Sequence, residues 1–219
     1  MIVVDCQQYD PAWWESRRGI PTASQFSRFF TPKTEKLGTG AITYAHELIA
    51  QKYDLDYGLD NEPKSAAMRH GSDMEPETRR WYEFVRNRKV MEVGFCLTDD
   101  GRFGCSPDGV MPDENRGFEC KRPLAHTQVK YLLDGGLPVE HKAQVHGSMI
   151  VTGYERWDFL SYCPGLPPLL LTVEPDAFTE RLHKGMNDFW EIYQELLGKM
   201  QDKPDPVRDM ERAPAVSPF

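Results

Sequence analysis

The chain has 219 residues, of which 40% are hydrophobic, and a formal net charge of −8 at pH 7, which suits one folded domain with a substantial core. No stretch approaches the roughly 20 apolar residues of a membrane span, and no secretory signal precedes the domain, so we expect a cytoplasmic protein without membrane partners. Phosphate binding needs Lys and Arg, so the negative charge excludes a uniformly basic surface. Cations that bind phosphate groups would instead have to be clustered, as in Arg17-Arg18, Lys33 with Lys36, and Lys121-Arg122.

The cysteines indicate which cross-links and metal sites the chain lacks. They number five and form no Cys-x-x-Cys pair, which argues against a disulfide framework and a structural zinc site. An iron–sulfur cluster would need four well-placed cysteine ligands. We therefore expect reduced thiols at Cys6, Cys96, Cys105, Cys120 and Cys163.

The first half of the chain shows helical hydrophobic periodicity interrupted by turn-forming residues. Thr22 and Ser24 are candidate N-caps for the first of these helices. Gly71 and Pro76 mark an irregularity near the middle of the longest one. The predicted elements are a short helix at 22–30, a loop at 31–40, a helix at 42–54 and a long helix at 65–89.

Short strands dominate the next part of the chain. The turn-forming sequences between the first three strands predict an antiparallel meander. The elements are strands at 90–97, 101–111 and 116–122, helices at 126–134 and 140–153, strands at 155–163 and 168–174, and a helix at 177–200. This order predicts an α/β fold with a mixed central sheet flanked by helices. One domain would span 1–201, followed by a flexible Pro-rich tail at 202–219.

Three charged residues form the candidate catalytic group. Asp108 closes the predicted strand 101–111, and Glu119 and Lys121 lie two residues apart on the next strand, so their side chains share one face. A turn between the strands would bring both carboxylates together, where a hard divalent cation relieves their repulsion. The Lys121 ammonium can orient or deprotonate a water, or offset charge on a phosphate. The alternative is an exposed aspartate and a surface ion pair.

The segment Pro107-Asp108 followed by Glu119-Cys120-Lys121 matches the Pro-Asp … Glu-x-Lys signature of the restriction-endonuclease-like PD-(D/E)XK superfamily. Within it, residues 13–163 resemble the lambda-type alkaline exonuclease family of viral recombination nucleases. The resemblance rests on ordered sequence blocks: Trp13-Trp14, residues 17–24 (RRGIPTAS), 71–75 (GSDME), 105–109 (CSPDG), 119–121 (ECK) and 142–149 (KAQVHGSM).

The resemblance implies a role for each matching residue at the metal centre. Asp108 and Glu119 would bind catalytic Mg²⁺, with the carbonyl of Cys120 as a further ligand. Glu75 would support a second ion, although a shift of register would replace it by Glu77. Two ions would clamp the attacking and leaving oxygens of phosphodiester hydrolysis, with Mn²⁺ as an alternative ion, and Lys121 would activate the water.

The resemblance also implies a pocket for the 5′-terminal phosphate, formed by Arg18, Ser24 and Ser106, with Gln144 lining the same cleft. Each of these residues has a simpler interpretation. Arg18 would be a surface cation, Ser24 an N-cap, and Gln144 a partner of backbone groups. His141 and His146 lie five positions apart, which is poor spacing for shared metal ligation on a helix, so we interpret them as structural or DNA-facing.

The leading functional hypothesis is a Mg²⁺-dependent 5′-to-3′ exodeoxyribonuclease acting on ends of double-stranded DNA. As the resemblance implies, it would release mononucleotides, leave 3′ single-stranded tails for a single-strand annealing protein, and assemble as a homotrimer in the host cytoplasm. The first alternative is an endonuclease or structure-specific nuclease of the same superfamily. The second is a non-catalytic DNA-binding module, which the presence of Asp108, Glu119 and Lys121 disfavours.

Overall fold

The computed structural model describes residues 1–53 and 75–203, and for Glu75 the backbone alone. Predictions for residues 65–74 and 204–219, including most of the tail, lie outside the described residues. All five cysteines are free thiols, as predicted. The elements in chain order are β1 (Ile2–Val4), α1 (Pro11–Arg17), a 3-10 helix (Ala23–Arg28), β2 (Phe30–Thr31), β3 (Lys36–Leu37), α2 (Ala41–Tyr53), α3 (Glu75–Arg86), β4 (Phe95–Leu97), β5 (Gly104–Cys105), β6 (Gly109–Met111), a second 3-10 helix (Pro112–Glu114), β7 (Arg116–Lys121), α4 (Ala125–Asp134), α5 (Val139–Thr152), β8 (Arg156–Ser161), β9 (Leu169–Val173) and α6 (Ala177–Gln201).

The predicted mixed sheet is present as four strands in the order β6-β7-β8-β9. The central pair β7 and β8 is parallel, and both outer pairs are antiparallel. Both antiparallel pairings of the predicted meander are present, β4 with β5 and β6 with β7. The predicted strand 101–111 is not continuous, however, because it is divided into β5 and β6, which belong to different sheets. The chain changes sheets at Ser106-Pro107-Asp108, where the proline has no N–H to continue a strand ladder.

The sequence analysis did not predict several of the short elements. Strand β1 pairs with β4, and β2 with β3 forms a small hairpin inside the predicted loop. Helix α1 begins after Asp10, whose Oδ1 accepts a hydrogen bond from the Trp13 N–H at 2.6 Å. The helix predicted at 22–30 is a 3-10 helix. The strand predicted at 90–97 is shortened to β4, with an isolated bridge at Met91.

Helix α5 connects the two larger sheets. It contacts β4 and β5 on one side and β7 and β8 on the other, and it packs against α6 and the first 3-10 helix. Gly147 allows the closest approach, since a Cβ at this position would lie 2.4 Å from the Phe26 ring. The close packing places α5 and the first 3-10 helix, two elements that carry predicted site residues, in one rigid unit.

A buried polar network attaches α3 to the four-stranded sheet. Asp158 on β8 is fully buried and accepts hydrogen bonds from the Tyr82 hydroxyl of α3, from Arg116 at 2.5 Å and from Thr172 at 2.6 Å. Burial raises the pKa of Tyr82, and its hydrogen bond to Asp158 raises that pKa further. Each partner satisfies a group that would otherwise be costly to bury.

Within residues 1–53 and 75–203, no helix is both long and apolar enough to cross a membrane. The longest helix, α6, carries apolar residues on the face toward the core. Phe178, Leu182, Met186, Phe189 and Tyr193 are buried there. The Phe189 ring stacks on Phe29 with centroids 4.3 Å apart.

Candidate active site

The two predicted carboxylates are brought together where β6 begins. Asp108 lies immediately before β6 rather than at the end of a strand, and Gly109 pairs with Phe118 of β7. The Asp108 Oδ2 accepts a hydrogen bond of 2.7 Å from the Cys120 N–H. This contact holds the Asp108 carboxylate at the edge of β7, beside the strand that carries Glu119.

Glu119 and Lys121 share one face of β7, as their spacing predicts. The Lys121 ammonium donates to the Glu119 Oε1, and the Gln144 amide of α5 donates to the same oxygen at 2.6 Å. Glu119 is 1% exposed. A carboxylate buried to this degree needs charged and hydrogen-bonding partners, so Lys121 and Gln144 hold it in a defined position. The structure thus places Gln144, predicted to line the DNA cleft, in direct contact with the candidate catalytic residue Glu119.

Lys121 is an ammonium ion in this arrangement. Burial lowers its pKa, but attraction to Glu119 and Asp108 outweighs burial and raises the pKa above the ordinary value of 10.5. The nearby carboxylates favour the charged form because they supply the opposite charge within a weakly solvated site. Lys121 can therefore interact electrostatically with a phosphate group at neutral pH.

The oxygen atoms at this site are of the kind that Mg²⁺ prefers. Besides Asp108 and Glu119, the Cys120 carbonyl points toward the Asp108 side, because the N–H and C=O of one strand residue face the same edge and the Cys120 N–H bonds Asp108. Within the described parts of the chain, no three His, Cys, Asp or Glu side chains form a metal-binding group. The side chain of Glu75, the third predicted acidic ligand, lies outside the described residues. The oxygen donors present fit a magnesium ion.

A second polar cluster surrounds Ser106. Its Oγ accepts hydrogen bonds from the Trp13 indole at 2.8 Å and from the Arg17 Nη1 at 3.0 Å. Arg17 Nη2 also donates to Thr22 Oγ1 at 3.4 Å, and Thr22 Oγ1 lies 3.5 Å from Ser24 Oγ. A hydroxyl that accepts two hydrogen bonds still has its own proton to donate. Ser106 and Arg17 together form a candidate anion-binding pocket, with Ser24 at its exposed side.

The structure brings Arg17, and not the predicted Arg18, to Ser106. Arg17 lies one helical turn after Trp13, and its guanidinium lies over the Trp13 ring at 4.2 Å from the centroid. Arg18 instead contacts Glu15, with Nε 3.1 Å from the carboxylate. Its Nη1 is shielded from solvent and has no hydrogen-bond acceptor among the described residues. The i, i+4 spacing from Trp13 is the signal that could have identified Arg17.

The two histidines of α5 have different surroundings. His141 Nε2 lies 3.3 Å from the Tyr131 hydroxyl, and burial together with the charge of Lys121 lowers the pKa of His141 to about 4. His146 is buried against α6, with Nδ1 2.8 Å from Thr179 Oγ1. His146 is therefore a packing residue, whereas His141 lies close enough to Lys121 to be affected by its charge.

Known proteins resemble this chain in sequence and fold. A family model described as the YqaJ-like viral recombinase domain matches residues 12–155. Two structures of the alkaline exonuclease LHK-Exo from Laribacter hongkongensis, one of them in complex with dAMP, are 26% identical, cover 88% of this chain and 96% of theirs, and give TM-scores of 0.75 and 0.76. A phage-related exonuclease from Haemophilus somnus 129PT shares the fold alone, with 11% identity, coverage of 83% and 96%, and a TM-score of 0.61. No curated protein sequence matches the chain.

Proposed function

This chain belongs to the YqaJ-like viral recombinase domain family, and we propose that it is a Mg²⁺-dependent 5′-to-3′ exodeoxyribonuclease that degrades one strand of linear duplex DNA to mononucleotides. The family match and the LHK-Exo structures confirm the resemblance to alkaline exonucleases, the restriction-endonuclease-like fold and the DNA nuclease class. The proposal adds the metal, the polarity and the product. The observation that carries it is the cluster of Arg17 and hydroxyl groups at Ser106, which lies only two residues from Asp108.

In the proposed mechanism, Asp108, Glu119 and the Cys120 carbonyl would hold Mg²⁺, and Glu75 would serve a second ion. A bound ion would supply Lewis acidity and favour ionisation of water at neutral pH. Gln144 keeps the Glu119 carboxylate oriented through its 2.6 Å hydrogen bond. The Lys121 ammonium lies beside both carboxylates, where it offsets negative charge that develops on a phosphate oxygen.

The pocket around Ser106 would anchor the 5′-terminal phosphate of the strand. Arg17 offers a charged fork of donors, and Ser106 and Ser24 offer hydroxyls, which together suit a phosphate. Arg18 remains a predicted contributor from the adjacent position, with a shielded N–H that has no acceptor among the described residues. The complex of LHK-Exo with dAMP supports a nucleoside monophosphate as product.

Two further parts of the proposal rest on family resemblance alone. A homotrimer would surround the duplex and keep the enzyme on its substrate between successive cleavages. The 3′ single-stranded tails would be taken over by a single-strand annealing protein.

Digestion of end-labelled DNA tests the proposal. A linear duplex with a labelled 5′ phosphate is incubated with the protein beside a covalently closed circle, with either Mg²⁺ or EDTA. We expect labelled mononucleotide from the linear DNA only, and only with Mg²⁺. Cleavage of the circle would indicate an endonuclease. No cleavage of either DNA by the folded protein would favour a non-catalytic DNA-binding module.

A further inference from the structure

A tight turn precedes α1 and places an aromatic residue in an unfavourable backbone conformation. The turn is closed by a hydrogen bond of 3.2 Å from the Asp10 N–H to the Gln7 carbonyl and by one of 2.9 Å from the Gln7 N–H to the Asp10 carboxylate. Tyr9 lies inside it with a φ of 72°. Gly or Asn adopts this left-handed region readily, whereas a bulky residue does so only at a cost.

The Tyr9 side chain is only partly covered by the rest of the protein. The side chain is 47% exposed, so it removes little apolar area from water. Its ring lies against Trp13, with centroids 5.1 Å apart and planes inclined by 48°. Tyr9 is thus both conformationally strained and half exposed. Strained residues of this kind are concentrated at functional sites.

The turn is also attached directly to the candidate active site. The Gln8 amide donates to the Pro107 carbonyl at 2.9 Å, and Pro107 lies between Ser106 and Asp108. Trp13, which contacts the Tyr9 ring, donates to Ser106. The chain neighbour of Tyr9, Gln8, and its ring partner, Trp13, therefore both contact the segment that joins the candidate anion pocket to Asp108.

We propose that Tyr9 stacks on a nucleobase at the end of the bound DNA strand. This inference rests on the proposed function, because it assigns the base a place next to the phosphate held by Arg17 and Ser106. An exposed aromatic ring binds any base through its π-face, so the contact would be independent of sequence. Trp13 contacts the Tyr9 ring within the protein.

Fluorescence of a terminal base analogue tests the proposal with the full-length chain. The probe is a 5′-phosphorylated duplex with 2-aminopurine as the 5′-terminal base, and Ca²⁺ replaces Mg²⁺ to prevent cleavage. We expect the wild type to quench 2-aminopurine by stacking. Tyr9→Phe should retain quenching and affinity. Tyr9→Gly should lose quenching and bind the duplex end about 5- to 150-fold more weakly.

The same variant separates a DNA-binding role from a structural one. Because glycine accepts the left-handed backbone, Tyr9→Gly should unfold at the same or a higher urea concentration than the wild type while binding DNA less tightly. The matched control is Tyr53→Ala at the end of α2, where an equally exposed tyrosine, at 49%, lies on another element. This variant should bind and quench like the wild type.

The outcomes distinguish this inference from the proposed function. In one outcome, the wild type releases labelled mononucleotide while Tyr9→Gly quenches 2-aminopurine and binds the duplex end as well as the wild type does. In that case the stacking role is wrong and the proposed exonuclease function is retained. Equal losses in Tyr9→Gly and Tyr53→Ala would also overturn the stacking role. If the wild type neither binds nor cleaves DNA ends, both the proposed function and the stacking role fail.

Discussion

Two adjacent arginines provide a direct test of the anion pocket. We predict that Arg17→Gln reduces cleavage of 5′-phosphorylated ends much more than Arg18→Gln does. Arg17 donates to Ser106 Oγ at 3.0 Å and lies over the Trp13 ring, so a phosphate bound at Ser106 would receive a charged hydrogen bond from it. Hydrogen bonds to charged groups contribute about 1.5–3 kcal/mol, and their loss corresponds to about a 10- to 150-fold reduction.

The expected effect of Arg18→Gln on cleavage is smaller, because the Arg18 Nε pairs with Glu15, whose side chain is 69% accessible, rather than with Ser106. An exposed ion pair contributes about 0.2–1 kcal/mol to the stability of the fold, so its loss should leave the fold intact and cleavage nearly unchanged.

The assay compares kcat/KM for the same duplex with a 5′ phosphate and with a 5′ hydroxyl. Arg17→Gln should remove most of the preference for the phosphorylated end and leave cleavage of the hydroxyl end nearly unchanged. A larger loss of that preference in Arg18→Gln than in Arg17→Gln would refute the assignment of the pocket to Arg17.

Three further predictions concern the metal centre, the pocket and the core. Asp108→Asn should keep the fold, because its side-chain oxygen can still accept the hydrogen bond from the Cys120 N–H, but it should reduce Mg²⁺-dependent cleavage by about 10²- to 10³-fold. Cleavage at the wild-type rate by a folded variant would contradict the metal assignment. Trp13→Phe removes the indole donor to Ser106 and should weaken the preference for phosphorylated ends, with an unfolding free energy about 1–3 kcal/mol lower in urea titrations; an unchanged preference would show that Ser106 needs no such donor. Burial lowers the pKa of His146 from 6.5 to about 4, so this histidine stays neutral in the folded protein. As the pH falls from 6.5 to 4, the imidazole takes up a proton in the unfolded chain but not in the folded one. The free energy of unfolding should therefore decrease by roughly 3 kcal/mol over this pH range. The fall in urea stability between pH 7 and pH 4.5 should therefore be smaller in His146→Gln, and an equal fall in both proteins would exclude this role.

Strand β7, which carries the candidate catalytic residues Glu119 and Lys121, was predictable because the evidence for it is local in the sequence. The two-residue spacing of Glu119 and Lys121 determines that they share a face on any strand, and the turn after Met111 returns the chain antiparallel. The interruption of the predicted strand 101–111 at Pro107 was harder to predict, since a proline can also occur within an edge strand of a sheet. The direct partners of β5 and β6 are the nearby strands β4 and β7, but the two sheets that these pairs join also contain β1 and β8, which are far away in the chain.

The difference at the candidate anion pocket, where Arg17 rather than Arg18 contacts Ser106, has a similar cause. Helix α1 was not predicted, although Asp10 and Pro11 are favourable residues for a helix start. Without the helix, adjacent Arg17 and Arg18 are indistinguishable in sequence. With it, Arg17 falls on the same face as the buried Trp13. Strand β1 was missed because three residues carry little periodic signal, and its pairing with β4 joins positions far apart in the sequence.

The change of sheets at Pro107 also bears on the length of the product. Ser106 and Asp108 are joined by two peptide units, which span at most about 7 Å, whereas one strand of a duplex advances about 3.4 Å along the axis per nucleotide. A strand end held at Ser106 is thus within one or two nucleotides of the bond beside Asp108. In an enzyme that works as proposed, the fixed spacing between Ser106 and Asp108 would set the length of each released fragment. Inserting a residue beside Pro107 would then change the length of the fragment, while the hydrolysis reaction itself would be preserved.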